Sequence, residues 1–546
     1  MKKKVTKLVS LLASVGMVLP SLAACNGGGG GGLGGNTAPE GEHVLQVYCT
    51  EAGYGVEWLH ALLDLFKEQA WVKEKYPNLQ IPYPTTNDVR SFPQSMIEAG
   101  KKTNSYDLLF GISANSLGGT DSELLNLAEG LYNTTVPGED VLYKDKLATS
   151  LLQSHKYTNL SDLDSEEYYF ASWIGGMSSF VYNETILQSF GLDVPKTTDE
   201  FISVCATIKA NEGKDNGKYN KGSSILQSAD ADYWQYAFPN WWAQYDGIEG
   251  YNNFYNGIYN NRYSVDIFKM PGRLESLKVM ESLLDYDSGY LDKATFTYQF
   301  MQAQTAFLQG NDAFFFTGDW FTNEMSGIYK ELEANNQLGG SFRMMRMPIV
   351  SALGTKLGIT DAELSAIVDY IDGETATAPS FTSTVGMSND AVIERVREAR
   401  SINFSLASVH VGFIPKYAEG KEVALDFLRF MATDIANEEY TKVTSSPLYF
   451  DYNLKEKAPD VYNALPQMAK DSVDFFQNAS FEAYTLRDAA SYPLAQYGGL
   501  SALATTHYFQ ILSAQNGGTA QKMFDDTIAM WSTEKFNQAL GSAGVL

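Results

Sequence analysis

Aromatic and polar side chains suited to binding a small molecule are concentrated in two segments of this 546-residue chain. Trp320 directly follows Asp319, and Tyr233, Trp241 and Trp242 lie within ten residues of one another. Flat aromatic rings beside carboxylates and amides suit a ligand that combines apolar CH faces with many hydroxyl groups, as a sugar does. We therefore expect these five side chains to take part in ligand binding.

Each aromatic candidate has a structural alternative. Trp320 follows the apolar residues 314–316 and could belong to the core. Trp241 and Trp242 are adjacent, so they cannot easily face the same side of a helix or strand, and we expect one in the core and one in the site. Trp173 is as consistent with packing as with exposure to a ligand.

Two loops supply further polar candidates. Glu51 and Tyr54 follow the first predicted strand, and Ser113 and Asn115 follow a later one. Ligands of open α/β sheets bind at the carboxyl ends of the strands, so both loops are expected to border the site. The carboxylates of Glu51 and Asp319 could accept hydrogen bonds from the hydroxyl groups of a ligand. Both could equally be capping or surface acids in a chain with 65 Asp and Glu.

The elements that must position these residues alternate along the chain. Residues 44–50, 80–83 and 106–112 are predicted to be extended, and residues 56–76 and 94–101 are predicted to be helical. This alternation predicts βαβ units and a mainly parallel sheet in an α/β protein.

Two helix starts carry a capping-box pattern, in which a threonine is followed three residues later by a glutamate. They are Thr197 with Glu200 and Thr360 with Glu363. Gly373 is the predicted end of the second helix.

The N-terminal segment has the features of an export signal. Residues 1–24 combine a basic start with an apolar run that is too short to span a membrane, and small residues precede Cys25. Residues 22–25, LAAC, resemble the lipobox of bacterial lipoproteins, which implies lipidation of Cys25. An ordinary signal cleaved near Ala24, which would leave a free cysteine, is the alternative. Residues 25–42 are glycine-rich and are predicted to be a flexible tether.

Charge and cysteine content limit the function further. Without the four lysines of residues 1–24, 36 basic residues face 65 acidic ones, a net charge of −29. This acidity disfavours nucleic acid and anionic lipid as direct partners. Cys49 and Cys205 could form a disulfide, but each lies in an apolar pattern that favours a buried thiol.

No common catalytic or metal-binding motif is present, so we expect no enzyme, no cofactor and no metal. The sequence lacks the nucleophile-elbow, zincin and P-loop patterns, and its five histidines are scattered. A secreted glycosidase that uses two carboxylates stays open as an alternative.

Three blocks resemble the family-1 extracellular solute-binding proteins, the group that includes maltose-binding proteins. Residues 168–200 contain YN at Tyr182 and Asn183 followed by GLDVPKT and DE, and residues 303–325 contain QTAFLQGNDAFFFTGDWFTNEM. Residues 412–431 match the family's I-P-K and A-x-x-F-L element. The resemblance implies a two-lobed, type II periplasmic-binding-protein-like fold with a multi-strand hinge and a cleft. It also implies that Trp320 stacks on sugar.

The family layout implies which residues form each lobe. Residues 43–174 and 412–441 would form lobe one, and residues 175–411 and 442–546 would form lobe two. A helical insertion at about 351–405 would be a surface elaboration of lobe two. Gly176 stands where maltose-binding proteins have a sugar-binding glutamate, which makes maltose itself doubtful.

The function implied is capture of a sugar or oligosaccharide by hinge closure and its delivery to the permease of an ABC importer. The protein would be a lipid-anchored monomer on the extracellular face or in the periplasm. A binding protein for a peptide or another polar solute, and a structural surface lipoprotein, stay open as alternatives.

Overall fold

A computed structural model of the protein describes residues 43–87, 92–112, 123–157, 165–229, 233–405, 410–476, 484–486, 492, 494 and 518–546. Its described strands are β1 (Val47–Thr50), β2 (Thr85–Asn87), β3 (Leu108–Ile112), β4 (Ala171–Ser172), β5 (Ser178–Asn183), β6 (Ile225–Leu226), β7 (Ile258–Tyr259), β8 (Arg262–Tyr263), β9 (Phe314–Gly318), β10 (Phe342–Met345), β11 (Ile402–Asn403), β12 (His410–Phe413) and β13 (Tyr484–Thr485).

The described α-helices are α1 (Glu57–Glu68), α2 (Ala70–Lys75), α3 (Phe92–Ala99), α4 (Thr149–His155), α5 (Glu184–Phe190), α6 (Thr198–Lys209), α7 (Trp234–Asp246), α8 (Ile248–Tyr255), α9 (Pro271–Leu284), α10 (Phe300–Leu308), α11 (Phe321–Glu324), α12 (Ser326–Ala334), α13 (Ala352–Leu357), α14 (Asp361–Asp372), α15 (Asn389–Ser401), α16 (Lys421–Met431), α17 (Asp434–Thr444), α18 (Leu454–Lys457), α19 (Pro459–Ala464), α20 (Gln467–Phe476), α21 (Ala520–Met530) and α22 (Thr533–Ser542).

The first lobe is built on a five-stranded sheet in the order β2-β1-β3-β12-β4. Strands β1, β2 and β3 are parallel, and β12 runs antiparallel to β3 and β4. Helix α1 buries Trp58, Leu62 and Phe66 on its apolar stripe and packs against α17. The predicted single helix over residues 56–76 is instead two helices, because Gln69 takes an extended conformation between them.

The second lobe is built on a four-stranded sheet in the order β10-β5-β9-β6. Strand β5 is antiparallel to β9 and β10, whereas β6 is parallel to β9. The prediction of a mainly parallel sheet therefore holds for β1 to β3 but not for this lobe. Cys49 is buried in the first lobe's core and Cys205 in the second lobe's, and both are free thiols.

The insertion at about residues 351–405 is part of the second lobe's core, which corrects the prediction of a surface elaboration. It contains α13, α14 and α15, and their buried residues Leu353, Leu364 and Val392 share one cluster with Trp241 of α7. Both predicted capping threonines, Thr197 and Thr360, accept a hydrogen bond from the backbone of the residue three positions later. Gly373 ends α14 in the left-handed conformation, as predicted.

Two segments link the sheets near each other. Residues 173–177 join β4 of the first sheet to β5 of the second, and the chain returns after Ser405 to begin β12 at His410. Ser405 donates a hydrogen bond to the Gly175 carbonyl, so the two links are in contact. Leu448, Tyr449 and Phe450 still pack in the first lobe's core, so this lobe extends beyond the predicted boundary at residue 441.

Candidate ligand-binding cleft

The carboxyl end of β1 in the first lobe meets the carboxyl end of β9 in the second lobe at the interface between the lobes. Strand β1 ends at Thr50 and leads into the loop at residues 51–55, where the Gly55 amide bonds to the Ala52 carbonyl at 2.8 Å. Gly55 has φ +67°, a conformation that favours glycine. This tight turn presents Tyr54 toward the second lobe before α1 begins.

In the second lobe, the residues that face the first lobe follow β9 and β6. Strand β9 ends at Gly318 and is followed by Asp319 and Trp320, while Tyr233 stands directly before α7, in the connection that follows β6. Because β6 and β9 are parallel neighbours, their carboxyl ends lie side by side. The ring centroids of Trp320 and Tyr233 are 5.9 Å apart. The structure thus brings together two residues that are 87 positions apart in sequence.

An aromatic row extends from Trp320 along this face of the second lobe. We define it as Trp320, Tyr233, Tyr236 and Phe404, with Phe300 against Tyr233 at 5.7 Å. Tyr233 and Tyr236 stack at 5.6 Å, and Tyr236 and Phe404 stack at 5.1 Å. Both tyrosines are half-buried. Such a row can pack against the apolar faces of a ligand and donate hydroxyl hydrogen bonds.

Sequence reasoning missed two members of this row, Tyr236 and Phe404, and also Phe300 beside it. Tyr233 and Tyr236 are three residues apart at a helix start, and this spacing places them on one face. That signal was present in the sequence. Nothing in the sequence indicates that Phe404, from the segment linking the lobes, stacks on Tyr236, or that Phe300 contacts Tyr233.

Direct contacts join the lobes beside Trp320. The Tyr54 hydroxyl donates to Asp319 Oδ1 at 2.6 Å, and the Ser446 hydroxyl donates to Asp319 Oδ2. We call these three residues the interlobe joint. Asn323 Nδ2 also donates to the Gly53 carbonyl at 2.9 Å. Asp319 is 1% exposed, and this burial raises the pKa of its carboxyl group to about 6, against the lowering effect of its hydrogen bonds.

Trp320 is held tightly between two glycines. A Cβ atom on Gly318 would lie 2.0 Å from Cζ3 of the indole, and one on Gly53 would lie 2.9 Å from Cδ1. The Trp320 ring also meets the Tyr54 ring edge-on at 6.4 Å. Trp320 is consequently only 4% exposed, so the part of it available to a ligand depends on how the Gly53 and Tyr54 loop is placed.

Trp241 and Trp242 are both fully buried in the second lobe's core, so the prediction that one of them faces the cleft is wrong. Trp241 donates its indole N–H to the Pro348 carbonyl at 3.1 Å, and Trp242 donates to Asp246 at 3.0 Å. Helix α7 packs against β5, α8, α9 and α15, so adjacent positions on it can both be internal.

Trp173 is a core residue of the first lobe, which decides between the two alternatives left open for it. It is fully buried and stacks on Trp58 with ring centroids 4.8 Å apart. It still contacts the Tyr54 ring edge-on at 6.0 Å, so it supports the loop that bears the interlobe joint.

The remaining predicted site residues divide into two groups. Glu51 is exposed at the start of the cleft loop. Ser113, Asn115 and Cys25 lie outside the described residues. Within the described ranges, no helix is long and apolar enough to cross a membrane. The same ranges contain no group of three or more His, Cys, Asp or Glu side chains placed to hold a metal ion.

The fold is similar to that of solved ligand-binding proteins. The maltose-bound MalE3 of T. maritima matches with a TM-score of 0.53 and 14% identity over 89% of this chain and 98% of its own. A protein from work on xylan utilization by Caldanaerobius polysaccharolyticus matches with a TM-score of 0.53 and 13% identity over 91% and 98%. The binding protein MsmE of Bacillus subtilis, in an open conformation, gives 0.51 and 13% over 90% and 98%.

No family model and no curated protein matches the sequence. The matches extend over nearly the whole length of these solved structures. At 13 to 14% sequence identity, they establish the fold of this chain. They confirm the predicted two-lobed α/β architecture, and they confirm the resemblance drawn from the three sequence blocks at the level of that architecture. This chain has the two-lobed fold of the maltose-bound MalE3 and the MsmE binding protein.

Proposed function

We propose that this protein captures a sugar or oligosaccharide between its lobes and delivers it to an ABC importer. The observation that carries the proposal is the aromatic row at the interlobe face. Its half-buried tyrosines offer flat rings and hydroxyl groups together, which is the combination that a sugar requires. The maltose-bound neighbour of similar fold supports the same ligand class.

Closure of the lobes would complete the site. Tyr54 of the first lobe and Asp319 of the second are joined by a hydrogen bond of 2.6 Å, so the two lobes are in contact beside Trp320. A ligand that contacts both lobes only in the closed arrangement shifts the population toward it. An importer could then distinguish loaded from empty protein by shape.

We further propose that Cys25 carries a lipid anchor and that the glycine-rich residues 25–42 tether the protein outside the cell membrane. Export is supported by the basic and apolar character of residues 1–24. We propose that the body acts without catalysis. Among the described residues at this interface, the buried carboxyl group of Asp319 is engaged by Tyr54 and Ser446, so it is poorly placed to act as an acid or a nucleophile.

A thermal-shift panel on the purified chain tests the ligand class. Mono- and oligosaccharides, short peptides and amino acids are each added in excess. A ligand at one hundred times its dissociation constant stabilises the native state by about 2.7 kcal/mol, which raises the melting temperature measurably. We expect a response to one or more sugars and none to peptides.

Tyr233→Ala is the site variant for calorimetric titration of the responding sugar, with Tyr263→Ala as its control. Tyr263 is 48% exposed in the β7–β8 hairpin, away from the aromatic row. We expect weaker binding in the first variant only. A response restricted to peptides would reject the sugar assignment. Equal affinity in both variants would reject the aromatic row as the site.

A further inference from the structure

The interlobe joint contains a buried carboxyl group whose hydrogen-bond donors in the structure are all neutral. Asp319 and Tyr54 are 1% and 2% exposed, and Ser446 is fully buried. The two hydroxyl groups each donate to one carboxyl oxygen, and the backbone N–H groups of Gly176 and Trp320 donate as well. In the described part of the chain, no lysine or arginine forms an ion pair with Asp319.

The titratable groups that face this carboxyl group come from three elements of the first lobe. Tyr54 lies in the loop after β1, and Tyr440 approaches from α17. His410 of β12 packs its ring against the Tyr54 ring at 6.4 Å. None of these supplies a fixed positive charge beside Asp319, so burial of the ionised carboxylate is not offset by an opposite charge.

We propose that closure of the lobes takes up a proton at Asp319, so that acid holds the cleft shut and rising pH favours its opening. The inference concerns the regulation of the proposed binding cleft. It rests on the proposed function in one respect, namely that the lobes open and close. It does not depend on which ligand is bound.

The closed and open states place the carboxyl group of Asp319 in different surroundings. In the closed arrangement, burial raises the pKa of Asp319 from 3.8 to about 6. Opening of the lobes would break the Tyr54–Asp319 hydrogen bond and admit water beside the carboxyl group, which would return its pKa toward the ordinary value. The closed state therefore binds the proton more tightly. Its advantage is fully present below about pH 4 and is lost as the pH rises through about 6, a change of up to about 100-fold in the closing equilibrium.

Small-angle X-ray scattering of the full chain without ligand, from about pH 4.5 to about pH 8, measures this directly. We expect the radius of gyration to increase with pH around a midpoint near 6 while circular dichroism stays constant. Asp319→Asn should remove the pH dependence, because an amide does not titrate in this range.

Ser446→Ala provides a second test, which concerns the direction in which the midpoint pH shifts. The Ser446 hydroxyl lowers the pKa of Asp319, so its removal should move the midpoint of the scattering change to higher pH. Asp246→Asn is the matched control. Burial also raises the pKa of Asp246 to about 6, but this residue contacts Trp242 and Gly272 within the second lobe. The scattering change should persist in this variant.

Two results would overturn the inference. One is a wild-type chain whose dimensions do not change over this pH range. The other is a pH response that survives in Asp319→Asn and would therefore come from another group such as His410, because histidine side chains ordinarily titrate near the same pH. A sugar panel without any response, combined with the expected scattering change, would reject the proposed ligand and leave the proton-linked closure intact.

Discussion

At the residue scale, the position of Trp320 is set by the absence of side chains on its neighbours. Its ring lies against Gly318 on its own strand end and against Gly53 of the facing lobe. Only glycine leaves room for an indole this close to two backbones. The same packing explains why a tryptophan predicted as an open platform is almost completely covered.

We expect Trp320→Ala to weaken sugar binding by about 1 to 3 kcal/mol, through lost stacking and lost apolar contact. Because the side chain is 4% exposed, the substitution should also lower the free energy of unfolding, by about 3 to 5 kcal/mol. Calorimetric titration and urea denaturation separate the two effects. Affinity equal to that of the wild type would show that Trp320 is only a core residue.

Gly318→Ala tests the same packing from the other side. The new Cβ would lie 2.0 Å from the indole, so Trp320 must move, and we expect a destabilisation of about 1 to 3 kcal/mol with reduced affinity. Gly327→Ala in α12 is the matched control, because its Cβ would meet nothing within 4 Å. It should stabilise the helix by about 1 kcal/mol or less. Equal unfolding midpoints for the two variants would contradict this account.

At the element scale, helix starts in the second lobe are fixed by local chemistry. Thr360 accepts the Glu363 N–H at 3.2 Å, and the Glu363 carboxylate accepts the Thr360 N–H at 2.7 Å. This reciprocal pair is independent of tertiary packing, which is why the sequence alone predicts the start of α14.

Thr360→Ala should lower the free energy of unfolding by about 1 kcal/mol without changing sugar affinity, since it removes one cap from an exposed helix end. Urea denaturation measures the change. Thr375→Ala, an exposed threonine just beyond the same helix, should have no effect. An equal loss in both variants would mean that the cap contributes nothing specific.

At the scale of the whole molecule, the interlobe joint decides how easily the cleft opens. Tyr54→Phe keeps the ring but removes the hydroxyl that donates to Asp319. We expect sugar affinity to fall by about 1 to 3 kcal/mol, because the closed state loses a hydrogen bond to a buried carboxyl group. Scattering should show a larger radius of gyration without ligand.

Tyr76→Phe is the control for that prediction. The Tyr76 hydroxyl also donates to a buried carboxylate at 2.6 Å, that of Asp426, but both residues lie within the first lobe. It should lower stability and leave both affinity and scattering unchanged. If Tyr76→Phe and Tyr54→Phe had the same effect on affinity, loss of stability rather than loss of closure would explain both.

Much of the architecture followed from local signals in the sequence. The apolar stripe of α1, the capped starts of α6 and α14 and the glycine end of α14 depend on residues close together in the chain, so the sequence predicts them. The two-lobed fold followed from the resemblance of three blocks. The break at Gln69 was not predicted, because the apolar periodicity continues across it.

Local patterns in the sequence predict that a cleft loop follows β1 and that Asp319 and Trp320 follow a buried strand. Long-range packing places Tyr54 against Asp319 and adds Tyr236 and Phe404 to the aromatic row. It also buries Trp173, Trp241 and Trp242. Periodicity shows which residues avoid water, but an aromatic ring can be buried equally well in a core or between two lobes. That choice depends on contacts between residues far apart in the chain, and these exist only once both sheets are packed.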